Sequence, residues 1–114
     1  MVVERGSIWW AELGGPRGSG PGFRRPILVV QADAFNRSSI QTVIAVILSS
    51  NMRLLDAPGN VLVPARLAGL PKNSVANVSQ VITLDRGDLT ELAGRVDEPT
   101  LRRVDAGLRL VLHL

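Results

Sequence analysis

Two uninterrupted apolar runs organise the first half of the chain. Pro26-Ile27-Leu28-Val29-Val30 is apolar throughout and rich in β-branched residues, the pattern of a strand buried on both faces. Residues 42–48 repeat that pattern and end in three short polar side chains, Ser49-Ser50-Asn51. Residues 7–13 form an earlier strand, since Ile8, Trp9 and Trp10 have high β preference and the segment runs into Gly14-Gly15-Pro16. Residues 31–39 turn polar, and residues 51–59 read as a loop closed by Pro58-Gly59. Residues 60–64 alternate as a short edge strand capped by proline. Residues 74–84 resume strand character through Val75, Val78, Val81 and Ile82, with a polar interruption at Ser79-Gln80 that reads as a bulge. These segments are the chain's strand candidates.

The connection over residues 14–22 holds five glycines and two prolines, a composition that removes helix propensity and supplies the backbone angles of a mobile hairpin loop. At the other end Asp97 offers an N-cap, Pro99 suits a first helical turn, and Leu101, Val104, Leu108 and Val111 recur at helical spacing. No repeat and no linker is visible. The expected architecture is mainly β, a small and strongly bent antiparallel barrel plus a C-terminal α-helix, in a single domain over residues 1–114.

Composition narrows the chemistry. The chain has 114 residues, 46% of them hydrophobic and 20% charged, which fits a packed core and argues against disorder. No apolar stretch approaches the ~20 residues that span a bilayer, and residues 1–7 lack a secretory layout, so a cytoplasmic protein without membrane contact is expected. There is no cysteine, hence no disulfide, thiol nucleophile or thiolate metal site. Net charge is +3, and every base except Lys72 is arginine, the side chain that grips phosphate bidentately. The charge is uneven: residues 1–72 hold eight bases and four acids, residues 73–114 five bases and six acids. An anionic partner should meet the first part.

Catalytic sets are then reduced by elimination. The single histidine, His113, stands at the end of the expected helix and cannot supply a pair of imidazoles within one chain. Asp85 and Asp88 alternate with Arg86 as a solvated turn would, so no metal and no cofactor is implied. The glycine loop lacks G-x-G-x-x-G and leads into a strand, so it is not a nucleotide fingerprint. What remains is arginine with hydroxyls. If the two apolar strands pair as a hairpin, the start of the first lies beside the end of the second, which puts Arg25 near Ser49, Ser50 and Asn51; adjacent strand residues point oppositely, so only one of Arg24 and Arg25 aims inward. The group suits a phosphate, with Arg17 and Ser19 of the glycine loop close by. The same residues also fit a plain role as surface charges and turn formers, and spacing alone favours that role.

A family resemblance weighs on the other side. The ordered set Arg5-Gly6-x-Ile8-Trp9, Gly18-Ser19, Arg25-Pro26-Ile27-Leu28-Val29-Val30-Gln31, Ser49-Ser50-Asn51, Ser74-Val75 and Gln80-Val81-x-Thr83-Leu84-Asp85 closely resembles the MazF/PemK toxins over essentially the whole chain. The resemblance implies a small SH3-like (CcdB-like) barrel acting as a homodimer, and a metal-independent, sequence-specific mRNA interferase. Such an enzyme cleaves single-stranded mRNA by 2′-hydroxyl attack, leaving a 2′,3′-cyclic phosphate and a 5′-hydroxyl, and is neutralised by a cognate MazE-like antitoxin. It also implies that Arg25 and Ser49 are catalytic, with serine where the family often has threonine, and that Ser74, Ser79 and Gln80 contact RNA. Ser50, Asn51 and Asn77, with Gln80, are expected to hold bases by hydrogen bonds, and Arg17, Ser19 and Arg24 to contact the strand. Gly20 stands where many members carry glutamate, so any role of that carboxylate is missing. Both tryptophans are read as core. Two other readings stay open: a CcdB-like gyrase-poisoning toxin, disfavoured by the ending Val111-Leu112-His113-Leu114, and a non-catalytic RNA-binding module.

Overall fold

The computed structural model describes residues 2–15 and 23–114. Among these, strands β1 (Ser7–Glu12), β2 (Arg24–Val29), β3 (Thr42–Ser49), β4 (Val61–Val63), β5 (Ser74–Asp85) and β6 (Leu89–Arg95) make one antiparallel sheet in the order β4-β5-β3-β2-β1-β6. Short helices α1 (Asp33–Asn36) and α2 (Ala65–Ala68) lie in the connections, and α3 (Glu98–Leu112) closes the chain. No described helix is long and apolar enough to cross a membrane.

Both apolar strands are buried on both faces, as their composition predicts. On one face Ile8, Leu28, Val46 and Leu48 pack with Val78 and with Leu101 and Val104 of α3. On the other, Trp9, Ile27, Val29, Ala45 and Ile47 form a second core. The carboxylate of Asp97 accepts the Thr100 N–H and starts α3 where expected, and His113 ends it in a left-handed conformation. The bulge at Ser79-Gln80 is real and large: Val46 pairs with Val81 but Ile47 with Asn77, leaving three β5 residues opposite none.

Several expectations need correction. A strand that the hydrophobic pattern does not reveal, β6, completes the six. The loop after β3 contains a 3₁₀ turn at Met52–Asp56. Val111 does not continue the buried stripe of α3; it is exposed with Leu110 and Leu112. Trp9 is core, whereas Trp10 is only half-buried.

The sheet curls without closing, so β4 and β6 remain its edges. α2 spans the gap by close backbone approach. Gly69, at φ +71°, would place a Cβ 2.0 Å from the Ala93 carbonyl oxygen, and Gly94 would place one 2.5 Å from that of Ala68. Only glycine fits on either side of this seam.

Candidate active site

The β2–β3 ladder pairs Ile27 with Ile47, Leu28 with Val46 and Val29 with Ala45. Continued by two residues, this register sets Arg25 opposite Ser49, and directly opposed residues point to the same face. β3 is flanked on its other side by β5, where Ser49 pairs with Val75. The two apolar strands therefore hold a guanidinium and a hydroxyl at one end of the sheet, and their buried middles fix the register.

A cleft of about 360 Å³ opens at this end, lined by Arg24, Arg25, Ser50, Lys72 and Ser74 on its polar side and by Trp10, Phe23, Pro26, Leu48, Leu70 and Pro71 elsewhere. Three cations thus border it, and they are not equivalent. Arg24 is ion-paired to Glu91 at 2.9 Å, and its guanidinium carbon lies 4.5 Å from the centroid of the Trp10 ring. Arg25 and Lys72 are exposed and have no ion pair among the described residues. Arg25 is consequently the guanidinium free to receive an anion.

Ser49 is half-buried, and its Oγ accepts the Asn51 N–H at 3.2 Å. A serine hydroxyl that accepts through one lone pair keeps its own proton to donate. Asn51 in turn caps the 3₁₀ turn, its Oδ1 accepting the Arg53 N–H. The structure brings Arg24, Arg25, Ser50 and Ser74 to one cleft; Ser49 and Asn51 flank Ser50 in the chain but do not line it. Ser74 is buried, and its hydroxyl donates to the Lys72 carbonyl at 3.4 Å.

Asn77, Ser79 and Gln80 lie farther along β5 and do not line the cleft. Asn77 is buried; its Oδ1 accepts from Ser79 Oγ (2.8 Å) and Asn60 Nδ2 (3.3 Å), and its Nδ2 donates to Gln80 Oε1 (3.0 Å). Asn60 also accepts the Val78 N–H. This network ties the side chains of the bulge together and takes up its Val78 N–H, so Asn77 has a structural task of its own. Arg17, Ser19 and Gly20 lie outside the described residues.

Sequence reasoning missed Trp10, Phe23, Glu91 and Lys72 at this end of the molecule. For Lys72 a signal existed: the chain's one lysine stands two residues before Ser74.

Comparison with known proteins gives a consistent picture. Residues 4–112 match the family described as PemK-like, MazF-like toxin of type II toxin-antitoxin systems. The chain is 48% identical over 114 residues to Endoribonuclease MazF6 of Mycobacterium tuberculosis, covering all of both chains. It is 32% identical to Endoribonuclease EndoA of Bacillus subtilis, covering all of this chain and 97% of that one. Among solved structures, MazF from Deinococcus radiodurans superposes with a TM-score of 0.83 at 24% identity, over 100% of this chain and 99% of that one. An endoribonuclease in complex with its cognate antitoxin from a mycobacterial species gives 0.74 at 24% identity, over 99% and 95%.

Proposed function

As the chain belongs to the PemK-like, MazF-like toxin family, we propose that it is an mRNA interferase, a metal-independent endoribonuclease that cuts single-stranded RNA and is held in check by a cognate antitoxin. The observation that supports this reading is the register of β2 and β3, whose continuation by two residues puts Arg25 opposite Ser49, together with a cationic cleft lined by Arg25, which has no ion pair among the described residues.

RNA carries its own nucleophile. In this mechanism the 2′-hydroxyl oxygen attacks the adjacent phosphorus, the bond from phosphorus to the 5′-oxygen breaks, and that oxygen takes up a proton. A 2′,3′-cyclic phosphate and a 5′-hydroxyl remain. Arg25 holds the non-bridging oxygens as charge builds on the phosphorane, and the Ser49 hydroxyl donates to the same oxygens. A guanidinium is a poor proton donor, so its part is electrostatic. Arg24, Ser50, Asn51, Ser74, Ser79 and Gln80, with Arg17 and Ser19, are the proposed contacts to the strand. Asn77 acts through Ser79 and Gln80.

The protein works in the cytoplasm as a homodimer in this reading. The antitoxin lays an acidic, flexible segment over Arg25 and Lys72 and orders as it binds. The test is incubation of the purified protein with single-stranded RNA in EDTA. Cutting is expected, with 5′-hydroxyl ends, and a single 2′-deoxy nucleotide before the cut should block it. Cutting that survives this substitution would overturn the mechanism.

A further inference from the structure

Arg24 sits in the cleft, yet its charge is already answered. The residue reaches from β2 across β1 to β6: Trp10 pairs with Pro26 on one side and with Glu91 on the other, and Arg24 lies diagonally behind Pro26. Its guanidinium rests over the Trp10 ring and ends on the Glu91 carboxylate. One face of the planar group is covered by indole; its side chain stays 44% exposed, so the other face is open to the cleft. A guanidinium so held keeps its charge but has Glu91 as its counter-ion, and it presents a flat plate to the cleft more readily than a phosphate clamp.

Phe23 adds a second observation. It is 67% exposed and has a φ of +60°, a conformation that bulky side chains rarely adopt. The hairpin enforces it, with the Leu13 N–H donating to the Phe23 carbonyl (2.9 Å) and the Phe23 N–H to that of Gly14. An exposed aromatic ring is thus fixed at the mouth of a cleft whose wall is a cation–aromatic stack. At about 360 Å³ the cleft is at the small end of ligand sites, suited to one ring system and not to a helix.

From this arrangement we infer that Trp10, Arg24 and Phe23 form a subsite for one nucleobase next to the scissile phosphate, with Arg24 as the stacking plate and Glu91 as the residue that positions it. Single-stranded RNA is commonly read through unstacked bases laid on aromatic rings or arginine planes. Arg25 and Arg24 then divide the work, one taking phosphate and its neighbour taking base. The inference rests on the endoribonuclease reading above.

The test uses an oligoribonucleotide made uncleavable by a 2′-deoxy nucleotide at the cut and carrying 2-aminopurine, or an abasic residue, on either side of the scissile phosphate in turn. At one of the two positions binding should quench the 2-aminopurine emission, and the abasic strand should bind about tenfold more weakly. Arg24→Lys, which keeps the charge and loses the plane, should abolish the quenching. Arg24→Gln should leave the salt dependence of binding unchanged, whereas Arg25→Gln should reduce the slope of log K against log salt by about 0.7, one phosphate contact on a single strand. Glu91→Gln should steepen that slope while weakening the quenching, because the freed guanidinium then seeks phosphate. Full quenching by Arg24→Lys, or a slope lowered by Arg24→Gln as much as by Arg25→Gln, would overturn the subsite alone. A wild-type protein that neither binds nor cuts single-stranded RNA would overturn the function and the subsite together.

Discussion

β3 and β5 each run from one cleft to another. At the Ser49 end of β3 is the cleft of about 360 Å³ bordered by Arg24, Arg25 and Lys72. At the Thr42 end, roughly 23 Å away by strand rise, a larger cleft of about 540 Å³ is lined by Glu12, Leu13, Gly14, Thr42, Ile82, Thr83, Leu84, Asp85 and Asp88. Among the described residues the larger one holds three carboxylates and no base, the smaller three bases and no carboxylate. A polyanion is repelled by the first and drawn to the second. Size therefore says little about function here; the sign of the lining and the free guanidinium decide.

The sharpest way to break this comparison is to remove one charge from each cleft. Arg25→Ala should slow cleavage by about a hundredfold or more in single-turnover assays, with circular dichroism unchanged, while Asp85→Asn should stay within about twofold of wild type. Equal losses would erase the distinction between the clefts. Within the basic cleft, Ser49→Ala should cost about a hundredfold, Ser50→Ala about tenfold, and Ser49→Thr should retain most activity because the hydroxyl survives. The reverse order would move the hydrogen-bond donor from Ser49 to Ser50.

Stability should also separate the two regions. Gly69→Ala, on the seam next to the basic cleft, meets backbone and should lower unfolding free energy by on the order of 3 kcal/mol in a denaturant titration. Gly14→Ala, beside the acidic cleft, has φ +73° but open space around its Cβ, so only the strain of about 1 kcal/mol is expected. The smallest effect is a pH dependence belonging to neither cleft. Hydrogen bonds from the Arg5 N–H and the Asn36 amide hold Asp33 below the ordinary carboxyl value of 3.8, and those from Thr100 do the same for Asp97. Groups depressed in the folded state stabilise it above their unfolded pKa and lose that contribution as pH falls through the folded one. Melting temperature should thus be flat above about pH 5 and decline below about pH 4, in parallel for wild type and Arg25→Ala.

What could be read in advance follows from how each element earns its burial. β2, β3 and β5 are apolar enough to announce themselves, Asp97 marks the start of α3, and the polar pair Ser79-Gln80 marks the bulge. The opposition of Arg25 and Ser49 needed only the assumption of a hairpin. β6 stayed hidden because it is an edge strand in which Leu89 alone is buried, with Glu91 and Gly94 breaking any alternation. Bulges opposite Ile8/Trp9 and Trp10/Ala11 blur its period further. Trp10, which packs against the first core but is only partly buried there, was half legible for a related reason. Neighbouring tryptophans on a strand face opposite ways, so one of the two had to leave the second core, but without β6 and its Glu91 nothing showed where it went.

The glycine seam between α2 and β6 makes the curled sheet a broken hoop with a keystone. The helix that spans the break continues through Gly69 directly into Leu70, Pro71 and Lys72, which form one wall of the basic cleft. Closure of the ring and the shape of the binding wall are thus set by the same short stretch of chain, so an insertion between residues 64 and 73 should distort the cleft before it disturbs any catalytic group.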